Sequence, residues 1–178
     1  MQHPFLIGVR VYLRRLEESD LCGDYFDWLN DYEVTKYLVS GTLPNSEQAM
    51  EQFVSSANSK AIMFAIMTSP VEKHIGNIKI DDIDWVCRYA EIGIMIGDKE
   101  SWSRGYGREA VELCIDYCFK RLNLNKVRMG TTDGNKGMVK IVEALGFVLE
   151  GRLRETVFVD GVYRDRLCYG LLRREWKS

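Results

Sequence analysis

Two glycines one residue apart, Gly105 and Gly107, stand between Arg104 and Arg108 where a loop gives way to a helical pattern. The segment reads AEIGIMIGDKESWSRGYGREAVELCIDYCF. Glycine permits dihedrals and close approaches that a Cβ forbids. The first amides of a helix have no partner within it, and the helix dipole adds partial positive charge there. With two guanidiniums beside them, these amides suit a phosphate or pyrophosphate. For an isolated Gly-x-Gly, turn shaping alone would be the better explanation. GYGREA also fits the dinucleotide pattern Gly-x-Gly-x-x-Ala, but its context does not. That pattern's first glycine follows its strand at once, whereas seven residues separate Gly97 from Gly105. Near residue 127, where an acidic ribose ligand belongs, the chain reads NKVRMG.

The elements that must hold this loop follow from periodicity. Alternation predicts strands over 9–16, 61–67, 75–80, 90–96 and 126–130, and a closing hairpin of 153–159 and 163–171 around Asp160-Gly161. In 90–96, Ile92, Ile94 and Ile96 make one apolar face, opposite Glu91, Gly93 and Met95. Helical spacing predicts a helix starting at Ser19-Asp20 with Tyr25, Trp28 and Leu29 inward, a short one over 33–38, and one capped at Asn45-Ser46 with Met50, Phe53 and Val54 on one face. Two longer helices are predicted over 108–121 and 136–145, the second ended by Gly146. Residues 81–85 read as an acidic loop. The order is mixed αβ, one domain over 1–178.

Composition narrows the partners. At 46% hydrophobic and 28% charged residues, the chain reads as soluble and globular. A formal net charge of −2 offers no basic surplus for nucleic acid. No apolar run reaches the roughly 20 residues of a membrane span, and no signal segment precedes Gly8. The five cysteines, Cys22, Cys87, Cys114, Cys118 and Cys168, are odd in number and lack metal-ligand spacing, which points to buried free thiols, no metal and a cytoplasmic setting.

The strand–loop–helix segment resembles the acetyl-CoA signature of the GNAT N-acetyltransferase superfamily, Q/R-x-x-G-x-G/A, with Trp102 in the Q/R position. SWSRGYGREA is similar to the branch of ribosomal-protein N-terminal, spermidine and amino-sugar acetyltransferases. NKGMVKIVEALGFVLEG and LRETVFVDGVYRDRLCYGLLRREW resemble that branch's last helix and closing hairpin, and YLRRLEESD its start. The resemblance implies one mostly antiparallel, twisted sheet of about seven strands, splayed between the fourth and fifth, with helices on both faces. It also implies acetyl-CoA as co-substrate and a primary amine as acceptor: amino sugar, protein N-terminus or polyamine. A non-catalytic acyl-CoA sensor with the same fold is the alternative. Homodimers are common in the branch.

The resemblance assigns the pyrophosphate to Ser103, Arg104, Gly105, Tyr106, Gly107 and Arg108, the pantetheine arm to Ile94, Met95 and Ile96, and a contact with that arm to Asn135. Asn135 also reads as a helix N-cap. An amide near Met95 would polarise the thioester carbonyl. An alkyl ammonium with pKa about 10.4 must lose a proton before it attacks. A thiol of pKa about 8.5 leaves tolerably unaided, so a base matters more than an acid. Glu91 is the candidate base, although four strand residues, about 13 Å, separate it from Met95. Three positions that carry catalytic groups in relatives hold Gly130, Met138 and Val142 here. Direct attack, with Glu91 acting through water, follows. YFDWLNDYEVTKYL resembles the acceptor side, giving Trp28, Asn30 and Asp31 as candidate contacts, with Tyr163 of the hairpin. Packing explains Trp28 and Tyr163 as well.

Overall fold

The computed structural model of the chain describes residues 3–38, 41–46, 48–52 and 61–177. Eight strands form one sheet in the order β1-β2-β3-β4-β5-β6-β8-β7. They are β1 (Leu6–Ile7), β2 (Val11–Arg15), β3 (Ile62–Thr68), β4 (His74–Asp84), β5 (Tyr89–Ile96), β6 (Lys126–Thr132), β7 (Val148–Val159) and β8 (Val162–Leu172). Neighbours are antiparallel except β5 and β6. A parallel pair needs a long crossover, and the longest helix of the described residues supplies it. Four helices are labelled here: α1 (Tyr25–Asn30), α2 (Tyr32–Thr35), α3 (Tyr106–Asp116) and α4 (Lys136–Ala144).

Each sheet face has its own core. On one side α3 and α4 press Val111, Cys114, Ile115 and Val142 onto Leu13, Phe64, Ile78, Ile92 and Val127. On the other, α1 lays Tyr25, Trp28 and Leu29 over Tyr12, Met63, Ala65 and Met67. The alternation of β2 and β3 divides their side chains between these two cores, as the period of two requires.

The sheet opens between β5 and β6. Their pairing holds at Tyr89↔Lys126, Ala90↔Val127 and Glu91↔Arg128 and goes no further. From Ile92 onward, one edge of β5 is released inside the sheet. β4 meanwhile stays paired with β5 as far as Gly76↔Ile96.

Several expectations need correcting. The two-residue strand β1 was not expected. Residues 81–84 are strand, not loop: Asp81 faces Glu91 and Asp84 faces Tyr89 across an irregularity in the ladder. Asp84 Oδ1 accepts from the amides of Val86 and Cys87, and that tight turn lets β4 run to its very end. Strand β7 starts at Val148, five residues before the alternation predicts, because its ladder with β8 continues through two bulges. The helix expected over 108–121 starts at Tyr106 and its last turn, Tyr117–Arg121, widens to a π-type turn in which Leu122 N bonds Tyr117 O. The second short helix spans Tyr32–Thr35, not 33–38. Ser19-Asp20 lies in a 3-10 turn, Glu18–Cys22, and Asp20 is buried against Arg14 with bonds of 2.8 and 2.5 Å. Met50 is buried, whereas Phe53 and Val54 lie outside the described residues. Cys114 and Cys118 are buried thiols, but Cys87 is exposed.

Candidate active site

The cradle loop sits where β5, α3 and the start of β2 meet. Ser103 and Gly105 have positive φ, 59° and 81°. Gly105 is the N-cap of α3, and the first bond back into the loop is Glu109 N to Gly105 O, 3.2 Å. The amides of 103–108 therefore have no acceptor among the described residues. A run of unpaired N–H groups with alternating backbone hand is an anion nest. Gly105 is required by its dihedral; a Cβ there would also lie 3.0 Å from Arg10 Nη2. Gly107 is different. It is helical, and a Cβ would meet nothing closer than Ile96 at 3.5 Å. The protein by itself gives no reason for glycine at 107, and a ligand approaching the backbone does.

Two residues outside the run 103–108, Glu109 and Arg10, hold the loop. The Glu109 carboxylate accepts from the amides of Val9, Arg10 and Val11 at 2.7, 2.8 and 3.2 Å, and from Arg10 Nε at 3.0 Å. Burial by itself would raise the pKa of Glu109; these donors overcome it and hold the group below the usual carboxylate range. Arg10 then donates from Nη1 to Arg104 O, 2.8 Å, and lies over the Tyr106 ring. Neither residue is conspicuous in the sequence, because the contact joins positions about a hundred apart. Trp102 donates from Nε1 to Ile96 O, 2.8 Å, and ties the loop to the end of β5. Arg108 pairs with Glu112 at 3.0 Å along the helix. Asn135 caps α4, its Oδ1 accepting from Met138 N at 3.1 Å.

Strand β5 has two faces and two edges. Ile94 and Ile96 lean towards Gly107, on the helix side. Glu91, Gly93 and Met95 line a cleft on the opposite side. Gly97 N bonds Ile75 O on β4, while Ile96 O faces away from β4 to Trp102. Alternation along the strand then turns the Met95 N–H towards β4, and those of Ile94 and Ile96 towards the splay. Donors available at the gap are thus those flanking Met95, not its own.

The cleft has a volume of about 1280 Å³. It runs from β4 and β5 across the splay to Gly130, Thr131 and Thr132 of β6, with Phe158 and Asp160 of the hairpin and Tyr32, Lys36 and Tyr37 from the α2 side. Glu91 is on its wall, a third exposed, 3.4 Å from Arg166 Nη2 and 4.0 Å from Arg128 Nη2. Gly130 leaves room for Arg166: a Cβ there would lie 2.9 Å from Arg166 Nη2. Val142 is fully buried, and Met138 packs against the core.

The four expected acceptor contacts are not gathered here. Trp28 is buried against His74, with ring centroids 5.1 Å apart, and fills the space beside Gly97. Asn30 accepts from Asn45 N at 3.0 Å and pins the following loop. Asp31 caps α2 and pairs with Lys99 at 2.5 Å. Tyr163 is exposed and packs on Phe158, the partner that does line the cleft. Two cleft residues escape sequence reasoning because they look like ordinary core and strand positions. Tyr25 lines the wall, and burial pushes its phenol up to about 12 although Asn77 beside it works in the opposite direction. Asn77, opposite Met95, accepts from His74 Nε2 at 2.9 Å, while its own Nδ2 is buried without a partner. His74 Nε2 also faces Gly76 O, so that nitrogen carries the proton.

Comparison with known proteins agrees with this geometry. Residues 10–148 match the acetyltransferase (GNAT) domain family. An uncharacterized N-acetyltransferase p20 of Bacillus licheniformis is 33% identical, over 94% of this chain and 95% of its own. The putative ribosomal N-acetyltransferase YdaF of Bacillus subtilis is 37% identical over 58% of this chain and 56% of its own. Among solved structures, the spermidine N-acetyltransferase from Vibrio cholerae, in complex with CoA and spermine, superposes with a TM-score of 0.84 at 27% identity, covering 93% of this chain and 97% of that one. With its nest of free amides, its splayed sheet and these matches, the chain belongs to the GNAT family of acetyl-CoA-dependent N-acetyltransferases.

Proposed function

We propose that the nest at 103–108 holds the pyrophosphate of acetyl-CoA, that Arg104 and Arg108 add charge at its rim, and that the thioester enters the splay between β5 and β6. The observation that carries this is the run of unpaired amides behind Gly105, with Gly107 leaving unfilled the space beside Ile94, Ile96 and Ile141 that a Cβ would occupy. Acetyl-CoA supplies an activated acyl group on a thiol that leaves without strong acid assistance. The residues of the chain do the rest. Ser103, Arg104, Gly105, Tyr106, Gly107 and Arg108 bind through the main chain. Ile94 and Ile96 form the apolar wall of the pantetheine arm, and their amides face the gap. They take the polarising role expected of an amide near Met95. Met95 contributes its side chain to the acceptor wall. Asn135 keeps its cap and offers Nδ2 on the same side.

The acceptor, a small-molecule or peptide primary amine, enters from the opposite face through the cleft, so donor and acceptor meet through the sheet. Glu91 takes the ammonium proton through water, and the neutral amine attacks directly. Tyr32, Lys36, Phe158 and Arg166 shape the acceptor end; Trp28, Asn30, Asp31 and Tyr163 act behind it by packing, pinning and capping. No metal takes part, and neither nucleic acid nor membrane is a partner on a chain of net charge −2. Acetyl-CoA and free thiols both suit the cytoplasm, and a homodimer fits the branch. The test is calorimetry with CoA, then thiol release from acetyl-CoA over an amine panel. Binding in the micromolar range and release above the hydrolysis blank are expected. A folded protein indifferent to millimolar CoA refutes the reading.

A further inference from the structure

The charges of the cleft select among amines. Among the described residues, the acidic side chains on its wall are Glu91 and Asp160. Glu91 faces the guanidiniums of Arg166 and Arg128. Asp160 accepts from Tyr32 Oη at 2.8 Å. Among the same residues, Lys36, Lys79 and Arg166 are the cations of the wall. Lys36 pairs with Glu33, and Lys79 with Asp81. Arg166 has a single long contact, 3.4 Å to Glu91 Oε1, and its remaining N–H donors have no acceptor among the described residues. Its side chain is 45% exposed, and Gly130 leaves the space in which its guanidinium crosses the splay. A polycation entering at the Arg166 end would meet a guanidinium, and a carboxylate, Glu91, that already faces two guanidiniums. A carboxylate would meet a planar donor fork with spare hydrogen bonds.

We infer that the acceptor is an amine carrying a carboxylate some distance from the reacting nitrogen, as in a peptide with an acidic residue near its N-terminus, and that Arg166 receives that carboxylate. The inference rests on the proposed acetyl transfer and names its acceptor. Spacing sets the distance. Glu91 lies beside Arg128 in the parallel pair, so Gly130, with the guanidinium over it, is level with Gly93. That is two residues short of Met95, roughly 7 Å at about 3.3 Å per residue. An acidic side chain on the second or third residue of an extended peptide spans that interval, and the α-carboxylate of a free amino acid does not. Engaging the guanidinium also releases Glu91 Oε1 from its hydrogen bond.

Four acceptors of matched reach test this: the C-terminally amidated tripeptides Ala-Glu-Ala, Ala-Gln-Ala and Ala-Lys-Ala, and spermidine. Each is assayed by thiol release with wild type, Arg166→Gln and Arg166→Lys, and CoA calorimetry serves as the check of folding. Wild type is expected to prefer the glutamate peptide to the glutamine peptide by about tenfold in kcat/KM, as for a good charge-assisted contact, with the lysine peptide and spermidine below both. In Arg166→Gln the ratio should fall towards one, and Arg166→Lys should keep part of it. Because the ratio compares two substrates on one protein, a change in the chemistry itself cancels. Preference of wild type for spermidine or the lysine peptide overturns the inference, as does a ratio that survives Arg166→Gln. Thiol release with an amino sugar but with none of the peptides overturns the inference and leaves acetyl transfer standing; thiol release with no amine of the wider panel, while CoA still binds, refutes both.

Discussion

Replacing Glu109 by alanine should both destabilise the fold and weaken CoA binding, because one carboxylate holds the cradle to the sheet. Its side chain is 12% exposed and accepts from three amides and a guanidinium. A hydrogen bond to a charged group contributes about 1.5–3 kcal/mol. Val9 and Arg10 are exposed and regain water, so a net loss of about 2–4 kcal/mol is expected rather than the sum over four donors. The effect on the ligand runs through Arg10. Without its partner, Arg10 no longer holds the carbonyl of Arg104, and the nest must be ordered on binding. Ordering a loop of this size costs about 1–2 kcal/mol, which is roughly 5–30-fold in Kd. Glu109→Gln keeps an acceptor for the amides and loses the charge, so about half of each effect should remain. Urea unfolding and CoA calorimetry measure the two. The pH dependence gives a further check. The folded-state pKa of Glu109 lies below its unfolded value of about 4.3. Its contribution is therefore complete above that pH and is lost as pH falls through the folded value, where wild type and Glu109→Gln should converge. A folded Glu109→Ala protein with CoA affinity within about twofold of wild type would refute the argument.

Gly107→Ala should leave the melting temperature unchanged or raise it, since alanine is favoured over glycine in a helix by up to about 1 kcal/mol, while CoA affinity falls by about tenfold or more as the new methyl meets the ligand; equal loss of stability and affinity would make Gly107 a structural glycine. Asp20→Asn should cost about 3–5 kcal/mol in urea unfolding, because it leaves Arg14 buried without its charge partner. Burial works to raise the Asp20 pKa, but the hydrogen bonds from Arg14 and Glu17 more than offset it, so the group sits low. Its stabilisation is present above about pH 4 and lost below, and the mutant should show a flatter acid-unfolding profile. Glu91→Gln should lower turnover at neutral pH with little change in CoA affinity, a general base contributing about 10²–10⁴-fold; full turnover would remove Glu91 from the chemistry.

How much of this was legible differs between the donor and acceptor sides. The donor loop is local: its glycines, its arginines and the helix that follows are contiguous, and their order alone suggests a phosphate nest. The splay was expected by resemblance and appears in the loss of β5–β6 pairing after Glu91. The acceptor side was much less legible. Trp28, Asn30 and Asp31 are near the cleft in sequence but are occupied by His74, Asn45 and Lys99. Tyr25 and Arg166 lie inside segments that resemble the family, and Asn77 lies in none, yet nothing in the sequence marks them for the cleft, because each enters it from a different element. The acidic run at 81–84 misled for a related reason. Asp81 and Asp82 find partners in Lys79 and Arg128, which keeps carboxylates in a strand that their solubility would assign to a loop.

The sequence by itself determined the strand and helix order, the helix whose free amino-terminal amides form the nest, and the glycines in and beside that nest. These depend on periodicity and dihedral preference, which act over a few residues. Tertiary structure alone decided that Glu109 and Arg10 brace that nest, that the donors at the gap belong to Ile94 and Ile96, and that Arg166 crosses β6 to reach Glu91. Each of those contacts joins residues far apart in the chain through strand register and edge direction, and a register is set by the packing of the whole sheet.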